Sequence, residues 1–180
     1  MLTFKQLLFG LLGAFKMEFV NGIGHEFGYL VVAKVAYASG MSVVYVLVRN
    51  KIPGFNLKAN LLAARAITDR PVLAGCIGPF SLAGRLYDMS EIMILIYQNP
   101  EAAAMLLDKC TDFILKYCIA LKKTGANGVV MAEPAAGLMS DDDCMRFSSV
   151  YVRRIVEAVQ DDYFTVVLHN CGNTGHCTKA

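Results

Sequence analysis

Three short apolar runs, Pro71 to Ile77, Gly128 to Ala132 and Phe164 to Leu168, restrict what this chain can become. A hairpin uses roughly two to five connecting residues, whereas strands joined through a helix need a crossover of about a dozen or more and run parallel. The connections here are long and carry helical patterns. The expected fold is therefore α/β, with parallel strands and crossover helices. In such sheets and barrels the ligand site lies at the carboxyl ends of the strands. Those ends hold Gly78-Pro79-Phe80-Ser81, Glu133-Pro134 and His169-Asn170-Cys171, so a carboxylate, an imidazole and a thiol are expected on one rim.

The crossovers read as follows. Arg49 to Asn56, with Pro53 and Gly54, is expected as a loop, and the Ala/Leu-rich Leu57 to Ile67 as a helix. Gly78-Pro79 marks the exit loop of the first run. Ser90 to Tyr97 is a short helix, and Asn99-Pro100-Glu101 supplies a cap, a first-position proline and a first-turn acid for the next. That helix carries Leu106, Leu107, Cys110, Phe113, Ile114, Tyr117, Cys118 and Leu121 at helical spacing, and ends at Lys122, Lys123 and Gly125. Ser140 caps a helix over Asp141 to Val159, where the helix dipole accounts for Asp141, Asp142 and Asp143 without calcium. Upstream, residues 1 to 27 read as a weak helix on Leu7, Leu8, Leu11, Leu12 and Phe15. Tyr29 to Ala38 reads as a second helix and Val43 to Val48 as a strand. The glycines of Asn21-Gly22-Ile23-Gly24 lack dinucleotide spacing, and His25 is read as a surface or capping residue.

At 180 residues the chain can form a cored domain but falls below the roughly 250 of a complete (β/α)8 barrel. A net charge of +2, with no basic stripe, argues against nucleic acid. Six unevenly spaced cysteines (76, 110, 118, 144, 171 and 177) read as reduced thiols of a cytoplasmic protein. Gly28 to Val48 approaches bilayer-spanning length, yet its glycines, serines and Val-rich second half favour a buried strand over a membrane span. Phe4 to Phe15 resembles a signal core but lacks a cleavage site.

Side chains of a strand alternate faces, so His169 and Cys171 should point the same way. Imidazole and thiolate together suit zinc, although so short a pair also arises by chance. Glu133 is open to three roles: ligand, acceptor for imidazole N–H or base. A carboxylate bonded to a neighbouring loop is the plainer alternative. Arg85 suits an anionic substrate group or a surface ion pair. Gly78 and Gly137 suit tight turns and close approach of the backbone.

Residues 72 to about 174 resemble the uroporphyrinogen decarboxylase superfamily. The likeness is carried by Gly78-Pro79-Phe80-Ser81-Leu82-Ala83-Gly84, Asn99-Pro100-Glu101, Gly125-Ala126-Asn127-Gly128, Glu133-Pro134-Ala135-Ala136-Gly137 and Tyr151-x-Arg153-x-Ile155-Val156. It implies a partial (β/α)8 TIM barrel over residues 51–180, after an atypical hydrophobic segment 1–50, with truncation at both ends. In the cofactor-free decarboxylases a tyrosine follows the Gly-Pro-Phe-type loop and a serine follows the strand-end glutamate. Arg85 and Pro134 stand there in this chain.

The zinc-dependent corrinoid:thiol methyltransferases of the superfamily, such as those acting on coenzyme M, carry a His-x-Cys as two ligands. His169 and Cys171 resemble that branch, whose third protein ligand is expected to be missing from this chain unless Cys177 supplies it. The resemblance thus implies Zn²⁺, a methyl-corrinoid protein as donor partner and a small thiol as acceptor. Substrate contacts are expected from Gly78, Pro79, Phe80, Ser81 and Arg85, with Glu133 catalytic. The alternatives are a cofactor-free decarboxylase of porphyrin biosynthesis and an inactive fragment.

Overall fold

The computed structural model describes residues 16–20, 30–36, 42–48 and 53–170, with side chains from Asn56 onward. It forms two compact units. One comprises residues up to Ala74 together with Thr124–Asn127, and the other comprises Gly75–Lys123 and the chain from Gly128.

In the first unit, β1 (Lys16–Val20) pairs antiparallel with β2 (Leu30–Ala36), and β2 pairs antiparallel with β3 (Ser42–Val48). The helix expected at Tyr29 to Ala38 is thus a strand. Leu30–Ala36 reads Leu-Val-Val-Ala-Lys-Val-Ala, and β-branched valines give up more rotamer freedom in a helix than in an extended chain. The helix expected over residues 1–27 contains β1; its leucines lie outside the described residues. The stretch weighed as a membrane span holds two seven-residue strands, and no described helix is long and apolar enough to cross a membrane.

Helix α1 (Pro53–Ala66) leads from β3 to β4 (Val72–Ile77), whose first residues run parallel to β3, with Val44 opposite Val72. Pro53, read from sequence as loop, opens this helix, since its fixed φ and missing N–H suit a first turn. Asn127 anchors the start of β4. Its N–H donates to the Val72 carbonyl at 2.8 Å, and its side-chain oxygen accepts the Val72 N–H at 2.9 Å. Gly125, at φ +86, turns the chain just before it.

In the second unit, the remainder of β4, then β5 (Gly128–Ala132) and β6 (Thr165–His169), lie in that order as parallel strands. Four helical segments connect β4 to β6: α2 (Pro79–Tyr87), α3 (Met89–Gln98), α4 (Pro100–Lys122), and a run comprising α5 (Asp141–Cys144), a π-turn (Met145–Ser149) and α6 (Val150–Val159). A 3₁₀ turn, Pro134–Leu138, follows β5. The Gly78-Pro79 loop read from sequence is the N-terminus of α2, with proline as a helix opener rather than a breaker. Asp88 takes φ 83 to cap α3, accepting the Ser90 N–H at 2.8 Å. Asn99 caps α4 as expected, accepting the Ala102 N–H at 3.1 Å.

The buried face of α4 is Ala103, Leu107, Cys110, Thr111, Ile114, Cys118 and Leu121. Phe113, assigned to that stripe from sequence, is instead 54% exposed. Leu107 packs with Phe80, Ile92, Phe147 and Tyr151 in one cluster, where each large side chain contributes about 1.5–3 kcal/mol by leaving water. Strand β6 is less enclosed than its apolar sequence implies: Val167 is 42% and Leu168 51% exposed, while Phe164 just before it is buried.

Candidate functional site

Strands β5 and β6 run in register, Ala132 opposite His169, so their carboxyl ends fall side by side. The Glu133 N–H donates to the His169 carbonyl at 2.8 Å. The residues that carry the carboxylate and the imidazole expected on one rim are therefore neighbours there, but their side chains have different surroundings.

The Glu133 side chain is only 1% exposed. Its carboxylate reaches the first turn of α2, where Oε2 accepts the Phe80 N–H at 3.1 Å and Oε1 the Ser81 N–H at 2.6 Å. These are orphan donors of a helix N-terminus, and a negative group beside them is further favoured by the helix dipole. Ser81 adds a hydroxyl bond to Glu133 and accepts the Ala135 N–H at 3.2 Å. Burial pushes the Glu133 carboxyl up to about 7, against the opposing pull of the Ser81 hydroxyl and of the Ser81 and Phe80 amides. Gly78 makes this approach possible, because a Cβ there would stand 2.2 Å from Glu133 Oε2.

His169 ends β6, half-buried, and burial lowers its pKa. It borders a cavity of about 550 Å³ that also touches Glu133, Ser148, Ser149, Arg153 and Asn170. This is within the usual size range of small-molecule sites. Its far wall is the π-turn and α6, and single π-turns within helices recur at functional sites.

Of the residues expected to contact substrate, Gly78, Pro79, Phe80 and Ser81 are buried at the start of α2, and Arg85 is exposed in its last turn. None of the five lines this cavity. Cys171 and Cys177 lie outside the described residues, and no group of three metal-ligating side chains occurs among those described. Cys76 on β4 and Cys118 on α4 share a thiol hydrogen bond; that bond and burial hold the Cys76 thiol well above its ordinary pKa. The same bond pulls the Cys118 thiol below its ordinary pKa, against its burial, but Cys118 is fully buried and so closed to a substrate. Arg153, Ser148 and Ser149 were not singled out as site residues from sequence. The available signal was the Tyr151-x-Arg153 motif, whose arginine carries chemistry only once the face of its helix is known.

A parallel β/α sheet with polar side chains gathered over a cavity at its strand ends defines an α/β protein of the kind whose ligands bind at that rim. The chain belongs to the uroporphyrinogen decarboxylase family: the model of uroporphyrinogen decarboxylase (URO-D) matches residues 28–180. The methylcobamide:CoM methyltransferase MtbA of Methanosarcina mazei is 32% identical over 124 residues, covering 67% of this chain and 36% of that protein. A uroporphyrinogen decarboxylase of Legionella pneumophila is 28% identical over 111 residues, covering 58% of this chain and 32% of its own length. Among solved structures, a methyltransferase from Methanosarcina mazei superposes with a TM-score of 0.63 at 23% identity, covering 93% of this chain and 50% of that one. The fold is thus α/β, part of a (β/α)8 barrel. The chain spans about a third of the length of the curated relatives it matches.

Proposed function

We propose that this chain carries part of the site of a zinc-dependent methyltransferase, which moves a methyl group from a methyl-corrinoid protein to a small thiol. The observation that carries the proposal is His169, at the carboxyl end of β6 on the border of the cavity and beside Glu133. Its donor chemistry fits the metal: burial favours the neutral imidazole, the form that binds zinc. Cys171, two residues on, supplies a sulfur donor of the type zinc prefers. Bound there, zinc would lower the pKa of a coordinated thiol and present it as a thiolate near neutral pH.

The chain's own groups do the rest. The backbone bond from Glu133 to the His169 carbonyl fixes where β6 ends. The Glu133 carboxyl, held by α2, keeps that rim rigid and is a positioning residue, since its oxygens are turned to the Phe80 and Ser81 amides. Similarity to methylcobamide:CoM methyltransferases from Methanosarcina mazei and Methanosarcina acetivorans, at 32% and 30% identity, supports the same reading. So do Arg85 and Pro134, which stand where the decarboxylase pattern has tyrosine and serine.

The second reading, a cofactor-free decarboxylase acting on a tetrapyrrole, draws on the Legionella relative. Metal analysis of the purified protein, His169→Ala and Cys171→Ala separates the two. The methyltransferase reading expects stoichiometric zinc that both substitutions remove. Folded wild-type protein without zinc, together with carbon dioxide release from a carboxylated porphyrinogen, would establish the decarboxylase instead.

A further inference from the structure

Two adjacent arginines on α6 have different fates. Arg154 bonds Asp108, lies 3.7 Å from Asp112 and stacks over the Tyr151 ring at 5.8 Å. Arg153, one residue earlier and so about 100° around the helix, borders the cavity and has no ion-pair partner among the described residues. The acid facing the same space, Glu133, directs its oxygens to the amides of α2. Around Arg153 the wall offers further hydrogen-bonding side chains, with Ser148 and Ser149 from the π-turn and Asn170 from the end of β6.

A guanidinium presents a planar fork of donors that matches a carboxylate or sulfonate, and Arg153, exposed at the border of the cavity, is open to an anion entering it. We infer that Arg153 is the specificity-determining residue of this cavity, taking the anionic end of the substrate while the reacting end lies toward His169. The inference rests on reading the cavity as the substrate site, and it replaces Arg85 in the role expected from sequence. Within the two proposed substrate classes, a small thiol that bears a sulfonate and a tetrapyrrole that bears carboxylates would each supply such an end.

Calorimetric titration with ethanesulfonate tests it, with 2-mercaptoethanol as the uncharged probe and a carboxylated porphyrin as the third. Wild-type protein should bind ethanesulfonate, and Arg153→Gln should weaken that binding by about 10- to 100-fold, the range of a charge-assisted bond. Arg153→Lys should recover part of the affinity, Arg85→Gln should change nothing, and affinity for 2-mercaptoethanol should be the same in all variants. Ethanesulfonate has no thiol, so loss of the zinc reading and loss of Arg153's role give separate results. Arg153-dependent binding of the porphyrin without the sulfonate keeps the assignment and moves the site to the decarboxylase reading. Binding of neither anion, or equal binding by Arg153→Gln, overturns it.

Discussion

Glu133 and His169 leave neighbouring strands side by side, joined by a backbone hydrogen bond, yet one is sealed and the other half-open. The Glu133 carboxylate has its hydrogen bonds made by α2, whereas the His169 ring stands on a cavity border. The difference separates two jobs that sequence position alone assigns to a single rim. Under the proposed function, the β5 end would brace the site and the β6 end would present chemistry to it.

Substituting Gly78→Ala should break this arrangement most severely. The added methyl would overlap Glu133 Oε2, and because the collision is with a buried, hydrogen-bonded group, a loss of about 3 kcal/mol or more is expected in urea unfolding. A loss under about 1 kcal/mol would mean that the carboxylate moves aside freely and the β5 end is not sealed.

The next effect is a pH dependence. The Glu133 carboxyl is raised from an ordinary 4.5 to about 7, so the folded state binds more protons than the unfolded state between those values. Stability therefore falls as pH rises from about 4.5 to 7, by up to about 3 kcal/mol, and levels off above. His169, whose pKa burial lowers and which therefore acts in the opposite direction, is common to wild type and Glu133→Gln and cancels in their difference. The Gln variant should lack the Glu133 slope and lose about 1–3 kcal/mol at acidic pH, because its NH₂ faces an amide donor. Parallel pH profiles for the two proteins would contradict burial of a titrating carboxyl.

Smaller effects belong to the open end. With both proteins stripped of metal, His169→Ala should cost about 1 kcal/mol or less in unfolding, and it should remove zinc from the purified protein, a separation of stability from ligation that a packed core histidine would not show. Arg85→Gln, exposed at the far end of α2, should stay within about 0.5 kcal/mol of wild type by the same assay.

Much of the second unit could be read in advance because its signals are local. Asn99-Pro100 starts α4, Ser140 caps α5 by accepting the Asp143 N–H, and the apolar run Gly128–Ala132 is β5 residue for residue. Misreadings arose where a local signal has two meanings. Pro53 and Pro79 both open helices although proline also ends them, and Leu30–Ala36 pairs on both sides as a strand although its length suits a short helix. The rim of Glu133 and His169 is visible as two strand ends, but the partners of Glu133 are not, since Gly78-Pro79 reads from sequence as an exit loop and not as the start of a helix. Nor does sequence show which of Arg153 and Arg154 faces the cavity. A π-turn at Met145–Ser149 changes the helical phase just ahead of them.

The most direct examination of the open end is a zinc K-edge absorption spectrum of purified protein, alongside His169→Ala. The account predicts a ligand set containing nitrogen at about 2.0–2.1 Å and sulfur at about 2.3 Å, with the nitrogen contribution or the metal itself lost in the variant. An all-oxygen environment, or a spectrum indifferent to His169, would contradict it.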